Sequence, residues 1–293
     1  MITGDTRLVG LIGWPVAHSL SPAMHNAAFR HLGLDWKYVP LPVHPDMLGV
    51  AAQGLAALGF AGANVTVPHK TAVMTQIDGL SESARQIGAV NTLLVREGND
   101  GIRSLDGTNT DSTGFIRSLQ RADIPVAGER VVVCGAGGAA RAIVFGLLHA
   151  GAAQVFVLSR RIEAAQQLKQ QFQAIAGERV HILLASDEAY VESARSASLL
   201  VNATPVGMSP QADASIWPES KSMPAELAVF DLVYAPLETK LLKQAKASGA
   251  RAVDGLSMLI EQGAEAFTLW TDQPSPISVM RKACEHQIQG GCL

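Results

Sequence analysis

Apolar residues recur along this chain in two alternating rhythms. Short apolar or every-second-residue runs predict strands at 8–13, 36–41, 63–67, 92–95, 102–105, 131–134, 154–158, 180–184, 199–203, 228–233 and 251–253. Spacing near 3.6 predicts helices at 21–32, 46–58, 70–77, 81–87, 111–121, 139–148, 187–194, 238–247, 256–270 and 277–289. Ser21-Pro22 reads as an N-cap followed by proline in the first turn, and Gly33 stops that helix. The Gly-Asn-Asp-Gly run at 98–101 suits the turn of a hairpin. Residues 209–224, rich in Pro, Ser and Asp, read as a surface loop. Repeated strand–helix alternation implies right-handed crossovers and parallel sheets.

One stretch carries more than rhythm. Residues 131–142 read VVVCGAGGAARA. A strand apolar on both faces runs into Gly135, Gly137 and Ala140, which match G-x-G-x-x-G/A, and then into a strong helix former. The first glycine permits the tight turn, the second lets backbone approach a pyrophosphate, and the alanine lets helix and strand pack closely. The alternative is a glycine-rich turn that binds nothing. The next strand ends in Ser159, Arg160 and Arg161, about twenty residues on, where an acidic residue would take the ribose of NAD. Guanidiniums pair with phosphate, which favours NADP and leaves NAD open. These arginines could also be solvated residues opening a helix.

Composition narrows the classes. The chain has 293 residues, 48% hydrophobic and 17% charged, so a sizeable core is expected and disorder is not. A formal charge of −3 without a basic block argues against a nucleic-acid partner. The opening MITGDTRLVG lacks the regions of a signal peptide, and no apolar run reaches membrane-span length. Cys134, Cys284 and Cys292 lack metal-ligand spacing and read as free thiols in a reducing cytoplasm. No metal is expected.

Four clusters could carry chemistry. At 63–70, ANVTVPHK, Asn64 and Thr66 share a strand face, and His69 and Lys70 follow at the exit. A lysine opening a helix opposes the dipole, which would lower its pKa and suit proton transfer; an exposed lysine is the plain alternative. His69 is a second candidate acid or base. At 106–114, DGTNTDSTG, Asp111 is most simply the N-cap of the next helix. At 88–92, GAVNT, Asn91 is polar between apolar neighbours. At 14–26, WPVAHSLSPAMHN, Ser19 and Ser21 could grip a carboxylate, or Ser21 could cap its helix. His18, His25 and Asn26 have no metal-like partner set and read as structural.

Taken together, GWPVAHSLSPAMHN, NVTVPHK, GAVNT, GTNTD, CGAGGAARA, NATPVGM, FDLVYAPLETKLL and GLSMLIEQGAEAF resemble the shikimate dehydrogenase family, in order and over nearly the whole chain. The resemblance implies an α/β fold: an N-terminal substrate domain (1–110, completed by helices in 254–293), a Rossmann-type doubly wound NADP-binding domain (111–253), and an active site in the cleft between them. It implies Lys70 as acid/base paired with Asp111. Ser19 and Ser21 would bind the substrate carboxylate; Thr66, Asn91, Asp111 and Gln262 would hold ring hydroxyls, with Asn64 and Tyr234 nearby. Gly135, Ala136, Gly137, Gly138, Ala139, Ser159, Arg160 and Arg161 would hold NADP, with Leu232, Gly255 and Glu82 on the nicotinamide side. The family's usual Asn-Arg-Thr after the second cofactor-domain strand reads Ser-Arg-Arg here, which bears on NADP preference. The implied reaction is reversible NADPH-dependent reduction of 3-dehydroshikimate to shikimate, in aromatic amino acid (chorismate) biosynthesis, by a cytoplasmic monomer or homodimer. Two readings stand beside it: a quinate/shikimate or aminoshikimate dehydrogenase, and a non-catalytic ligand sensor on the same scaffold.

Overall fold

A computed structural model describes residues 2–183 and 187–290. In chain order its elements are β1 (Arg7–Gly13), α1 (Ser21–His31), β2 (Trp36–Pro42), α2 (Leu48–Ala57), β3 (Gly62–Val65), β4 (Gly79–Leu80), α3 (Glu82–Ile87), β5 (Thr92–Glu97), β6 (Arg103–Thr108), α4 (Asp111–Arg121), β7 (Arg130–Cys134), α5 (Gly138–His149), β8 (Gln154–Leu158), α6 (Ile162–Ala176), β9 (Val180–Leu183), α7 (Asp187–Arg195), β10 (Leu199–Asn202), β11 (Ala228–Asp231), α8 (Lys240–Ala247), β12 (Arg251–Val253), α9 (Leu256–Thr271) and α10 (Ile277–Gln289). Cys292 and the last residue of the strand expected at 180–184 lie outside the described residues. The chain forms two compact units: Met1–Gly114 with Leu259–Leu293, and Phe115–Met258.

The first unit holds a six-stranded sheet in the order β2-β1-β3-β5-β6-β4. β1 runs parallel to β2 and β3, but β5 is antiparallel to both β3 and β6. The expected parallel sheet is therefore mixed here. A short hairpin cannot return a strand in parallel, whereas a helical crossover can. One core cluster gathers Ile12, Ala63, Val65, Leu93 and Leu105 under Leu48 and Leu55 of α2. A separate aromatic cluster stacks His25 on Tyr38, ring centroids 4.5 Å apart, with Phe29, Phe267 and Trp270 around them.

Two local readings need correction. Ser21 is the first residue of α1 and does not cap it; its N–H instead donates to Ser19 Oγ at 3.2 Å. No α-helix forms at 70–77. The Lys70 carbonyl accepts from the Val90 N–H at 2.7 Å, so it is lost to the helical ladder, and only a 3₁₀ turn forms, at Ala72–Thr75. No helix dipole acts at Lys70.

The second unit holds a sheet in the order β12-β11-β10-β7-β8-β9, parallel throughout. Counted from β7, this is the 3-2-1-4-5-6 order of a doubly wound nucleotide-binding fold. Alternation explains why its strands look uniformly apolar. Val131, Val133, Leu199 and Val201 join the core with α5 and α6, while Val132, Cys134, Leu200 and Val229 join the core with α7 and α8. The strand order reverses between β7 and β10, where Cys134 faces Asn202 in register. The loop at 209–224 is not wholly superficial: Trp217 and Met223 are buried in the second of those cores.

Candidate active site

In the first unit, one polar network collects residues from five segments. Asn64 ends β3, Asn91 precedes β5, Asp111 opens α4, Gln262 lies on α9, and Lys70 lies in the turn beyond β3. The Lys70 Nζ donates to Asp111 Oδ2 at 2.5 Å, with side-chain exposures of 15% and 5%. Asn91 Nδ2 donates to the other carboxylate oxygen at 2.9 Å and reaches Thr110 Oγ1 at 2.9 Å and Gln262 Oε1 at 3.2 Å. Asn91 Oδ1 accepts from the Thr110 N–H at 2.7 Å and from Thr92 Oγ1 at 3.1 Å. Asn64 Oδ1 accepts from the Tyr38 hydroxyl at 2.9 Å, while Asn64 Nδ2 donates to the Asn91 carbonyl and to Thr92 Oγ1.

Asp111 is not the helix cap that its position suggests. Asn109 Oδ1 accepts from the Asp111 N–H at 3.0 Å, so the asparagine does the local backbone work. The Asp111 carboxylate is left for Lys70 and Asn91. His69 is likewise spent on structure: it is buried, and its Nε2 donates to the Val43 carbonyl at 2.8 Å. Asn26 makes a two-way clasp with the Tyr38 backbone, 2.9 Å each way, which fits its structural reading.

The donor inventory of this cluster is uneven. Among the described residues, Asp111 is the sole partner of the Lys70 ammonium, so two of its three N–H groups are unspent. Asn64 and Asn91 are fully committed inside the protein. The hydroxyls of Ser21 and Thr66 donate to no described residue, Ser19 keeps its hydroxyl hydrogen, and Gln262 keeps one amide N–H after giving the other to the Leu259 carbonyl at 2.8 Å. The network thus offers one cation and one neutral N–H, from Lys70 and Gln262, while Ser19, Ser21 and Thr66 of the same unit keep their hydroxyl hydrogens, donors that suit a ligand rich in oxygen. Glu82 is not part of it; exposed on α3, it pairs with Arg85 at 3.1 Å and accepts from Gln86 at 2.8 Å.

In the second unit, β7 delivers its chain into the glycine turn. Gly135 has φ of +120°, and a Cβ there would sit 2.9 Å from the Ala203 carbonyl oxygen. Only glycine meets both conditions. At Gly137 a Cβ would meet nothing within 4 Å, so open space faces the backbone there. α5 starts at Gly138, and its first-turn N–H groups have no intrahelical partner. Ser159 Oγ accepts from the Arg161 N–H at 3.2 Å, and the exposed Arg160 and Arg161 have no carboxylate partner among the described residues. A bare cradle, a helix start and two free guanidiniums fit a phosphorylated dinucleotide. Leu232 and Gly255 are brought together, since Gly255 packs directly on the Leu232 carbonyl. Tyr234 lies in the segment after β11 of this unit.

Comparison with known proteins decides the family. Residues 11–93 match the shikimate dehydrogenase substrate binding domain, 118–216 the shikimate / quinate 5-dehydrogenase family, and 255–285 the shikimate 5'-dehydrogenase C-terminal domain. A shikimate dehydrogenase (NADP(+)) of Geobacter metallireducens is 44% identical over 283 residues, 96% of each chain. The chain belongs to the shikimate dehydrogenase family. Its fold agrees: a shikimate dehydrogenase crystallised with NADP+ superposes with a TM-score of 0.88 at 37% identity, covering 98% of each chain. The Thermus thermophilus enzyme, crystallised with NADP(H) and shikimate, gives 0.83 at 39% identity, covering 96% of this chain and 99% of that one.

Set against the family motifs, sequence reasoning named Lys70, Asp111, Asn91, Asn64 and Gln262, and the structure brings all five together. It missed Tyr38 and Thr92, which complete the network. The signal was present: each shares a strand face with a buried apolar side chain two residues away, Trp36 for Tyr38 and Leu94 for Thr92.

Proposed function

We propose that this chain catalyses the reversible reduction of 3-dehydroshikimate to shikimate with NADPH, as an oxidoreductase acting on a CH–OH group. NADPH, when bound, supplies the hydride. Gly135, Ala136, Gly137, Gly138 and Ala139 would hold its pyrophosphate and Ser159, Arg160 and Arg161 its 2′-phosphate end, with Leu232 and Gly255 of the same unit on the nicotinamide side.

The first unit's residues do the rest. Ser19 and Ser21 donate to the substrate carboxylate, and Thr66 and Gln262 donate to ring hydroxyls. Asn64 and Asn91, already saturated, act by fixing Asp111 and Gln262. As the ketone oxygen gains negative charge, Lys70 stabilises it and donates a proton. Asp111 holds the ammonium in place. Lys70 keeps enough exposure to recover its proton from water, and in the oxidative direction its neutral form takes the proton back.

The observation that carries this reading is the Lys70–Asp111 pair, a lone cation with unspent donors in an otherwise neutral hydrogen-bonded cluster. The relatives' names favour shikimate over quinate, and a proton donor in place disfavours a pure sensor. Among the described residues no helix is long and apolar enough to cross a membrane. The buried free thiols Cys134 and Cys284 suit a reducing cytoplasm, where the enzyme acts as a monomer or homodimer. The test is an absorbance assay at the reduced-nicotinamide band, with shikimate and quinate each against NADP+ and NAD+. Rapid turnover of shikimate with NADP+ is expected, and its absence overturns the reading.

A further inference from the structure

A second buried polar network lies in the other unit, and nothing in the reaction above uses it. Asp231, at the end of β11, is fully buried, and so are Asn202 at the end of β10 and Thr239 before α8. Asp231 Oδ1 accepts from Asn202 Nδ2 at 2.9 Å and from the Val233 N–H at 3.1 Å; Oδ2 accepts from the Thr239 hydroxyl at 2.6 Å. Burying a carboxylate with no cation beside it is costly. Three donors offset part of that cost. A residue chosen for stability alone would be apolar.

The contacts show where the network leads. Asn202 Oδ1 accepts from both the backbone N–H of Thr204, at 3.1 Å, and its hydroxyl, at 2.6 Å. Asn202 Nδ2 also donates to the Val206 carbonyl at 3.1 Å, and the Thr204 hydroxyl accepts from the Val206 N–H at 3.2 Å. These bonds fix the segment 203–206. That segment is what the glycine turn leans on: a Cβ on Gly135 would meet the Ala203 carbonyl oxygen at 2.9 Å and Thr204 Cγ2 at 3.3 Å. On its other side, the bond to Val233 fixes the stretch that carries Leu232 and Tyr234.

We infer that Asp231 is a positioning residue for the cofactor: through Asn202 and Thr204 it sets the shape of the phosphate turn, and through Val233 it sets the segment beside the nicotinamide. The inference rests on the NADP assignment above. It requires no contact between Asp231 and the cofactor. The proposed substrate donors Ser19, Ser21, Thr66 and Gln262 lie in the first unit, so loss of Asp231 should weaken the cofactor far more than the substrate.

Two variants test this. Asp231→Ala removes the carboxylate; Thr204→Val keeps the shape at Gly135 and removes only the hydroxyl that ties it to Asn202. NADP+ affinity is measured by fluorescence titration of the purified protein, and KM for each substrate by steady-state kinetics. The expected result is a Kd for NADP+ raised about tenfold in Asp231→Ala and about fivefold in Thr204→Val, on the scale of one lost hydrogen bond. KM for shikimate stays within twofold of the wild type. If Asp231→Ala does not fold, Thr204→Val decides alone. A folded variant that binds NADP+ like the wild type overturns the inference, as does an equal rise in both KM values, which marks a general loss of structure. A wild-type protein that does not bind NADP+ at all overturns the cofactor assignment instead.

Discussion

At the scale of single residues, the chemistry rests on how donors are spent. Lys70 is the one charged donor in its network with hydrogens to give, and Asp111 is free to hold it because Asn109 takes over the helix start. Lys70→Ala should therefore lower kcat by ~10²–10⁴ with far less change in KM, since the interaction is made mainly in the transition state; steady-state kinetics on the variant check it, and near-full turnover would contradict the role. Ser19 offers a donor needed equally in ground and transition states. Ser19→Ala should raise KM for shikimate by about 1–3 kcal/mol of lost binding, with kcat nearly kept. The pairing of Lys70 with Asp111 was legible through the family resemblance, but its setting was not. The periodicity of 70–77 matches a helix, but the Lys70 carbonyl is taken by a long-range bond from Val90 and only a 3₁₀ turn forms. Asp111 was misjudged in the same way: the cap rule sees the helix start but not Asn109, two residues earlier, whose side chain accepts from the Asp111 N–H.

Elements carry the argument one step further. The β7–α5 turn was readable in detail, because glycine spacing, strand and helix occur together in twelve consecutive residues. The structure adds the reason that Gly135 is strict: a positive φ and a carbonyl that a Cβ would strike. Gly135→Ala should cost about 1–3 kcal/mol of stability through backbone strain and weaken NADP+ more than shikimate; chemical denaturation and cofactor titration would show both. An alanine variant with native stability and affinity would mean that the turn has more freedom than its geometry implies. Most strands and helices announce themselves by periodicity and were placed within a residue or two, but the 15-residue α6 was not foreseen. The two-residue β4 is too short to leave a period. The hairpin of β5 and β6 was legible from its turn residues, but the antiparallel pairing of β5 on β3 escaped, because periodicity shows that a strand exists and not which neighbour it takes. The Asn202–Asp231–Thr239 network was invisible for a related cause: Asn202 and Asp231 are 29 residues apart and meet only at adjacent strand ends, where Thr239 reaches them from the cap of α8.

For the whole molecule, the polar interior predicts how stability changes with pH. His25 is fully buried among aromatic rings, with no hydrogen bond to either ring nitrogen. Burial pulls its pKa from 6.5 down to about 3. The unfolded chain takes a proton near 6.5 and the folded chain refuses it, so acid favours unfolding. Stability from this group is whole above about pH 6.5 and is lost as pH falls toward 3, at about 1.4 kcal/mol per pH unit. Asp231 works in the opposite sense: burial raises its pKa, so its protonated form favours the fold and that contribution is lost as pH rises through the raised value. Replacing His25 with phenylalanine should flatten the acid limb; urea midpoints at pH 7 and pH 5 should differ less in His25→Phe than in the wild type, and equal slopes would contradict the assignment. The proposed function requires both units, one for an oxygen-rich acid and the other for a phosphorylated dinucleotide. The most direct measurement is the initial rate of NADP+ reduction by the purified protein with shikimate, followed by absorbance and repeated with quinate and with NAD+. Shikimate with NADP+ should give the highest kcat/KM of the four pairs. No turnover of shikimate with either nucleotide would contradict the account.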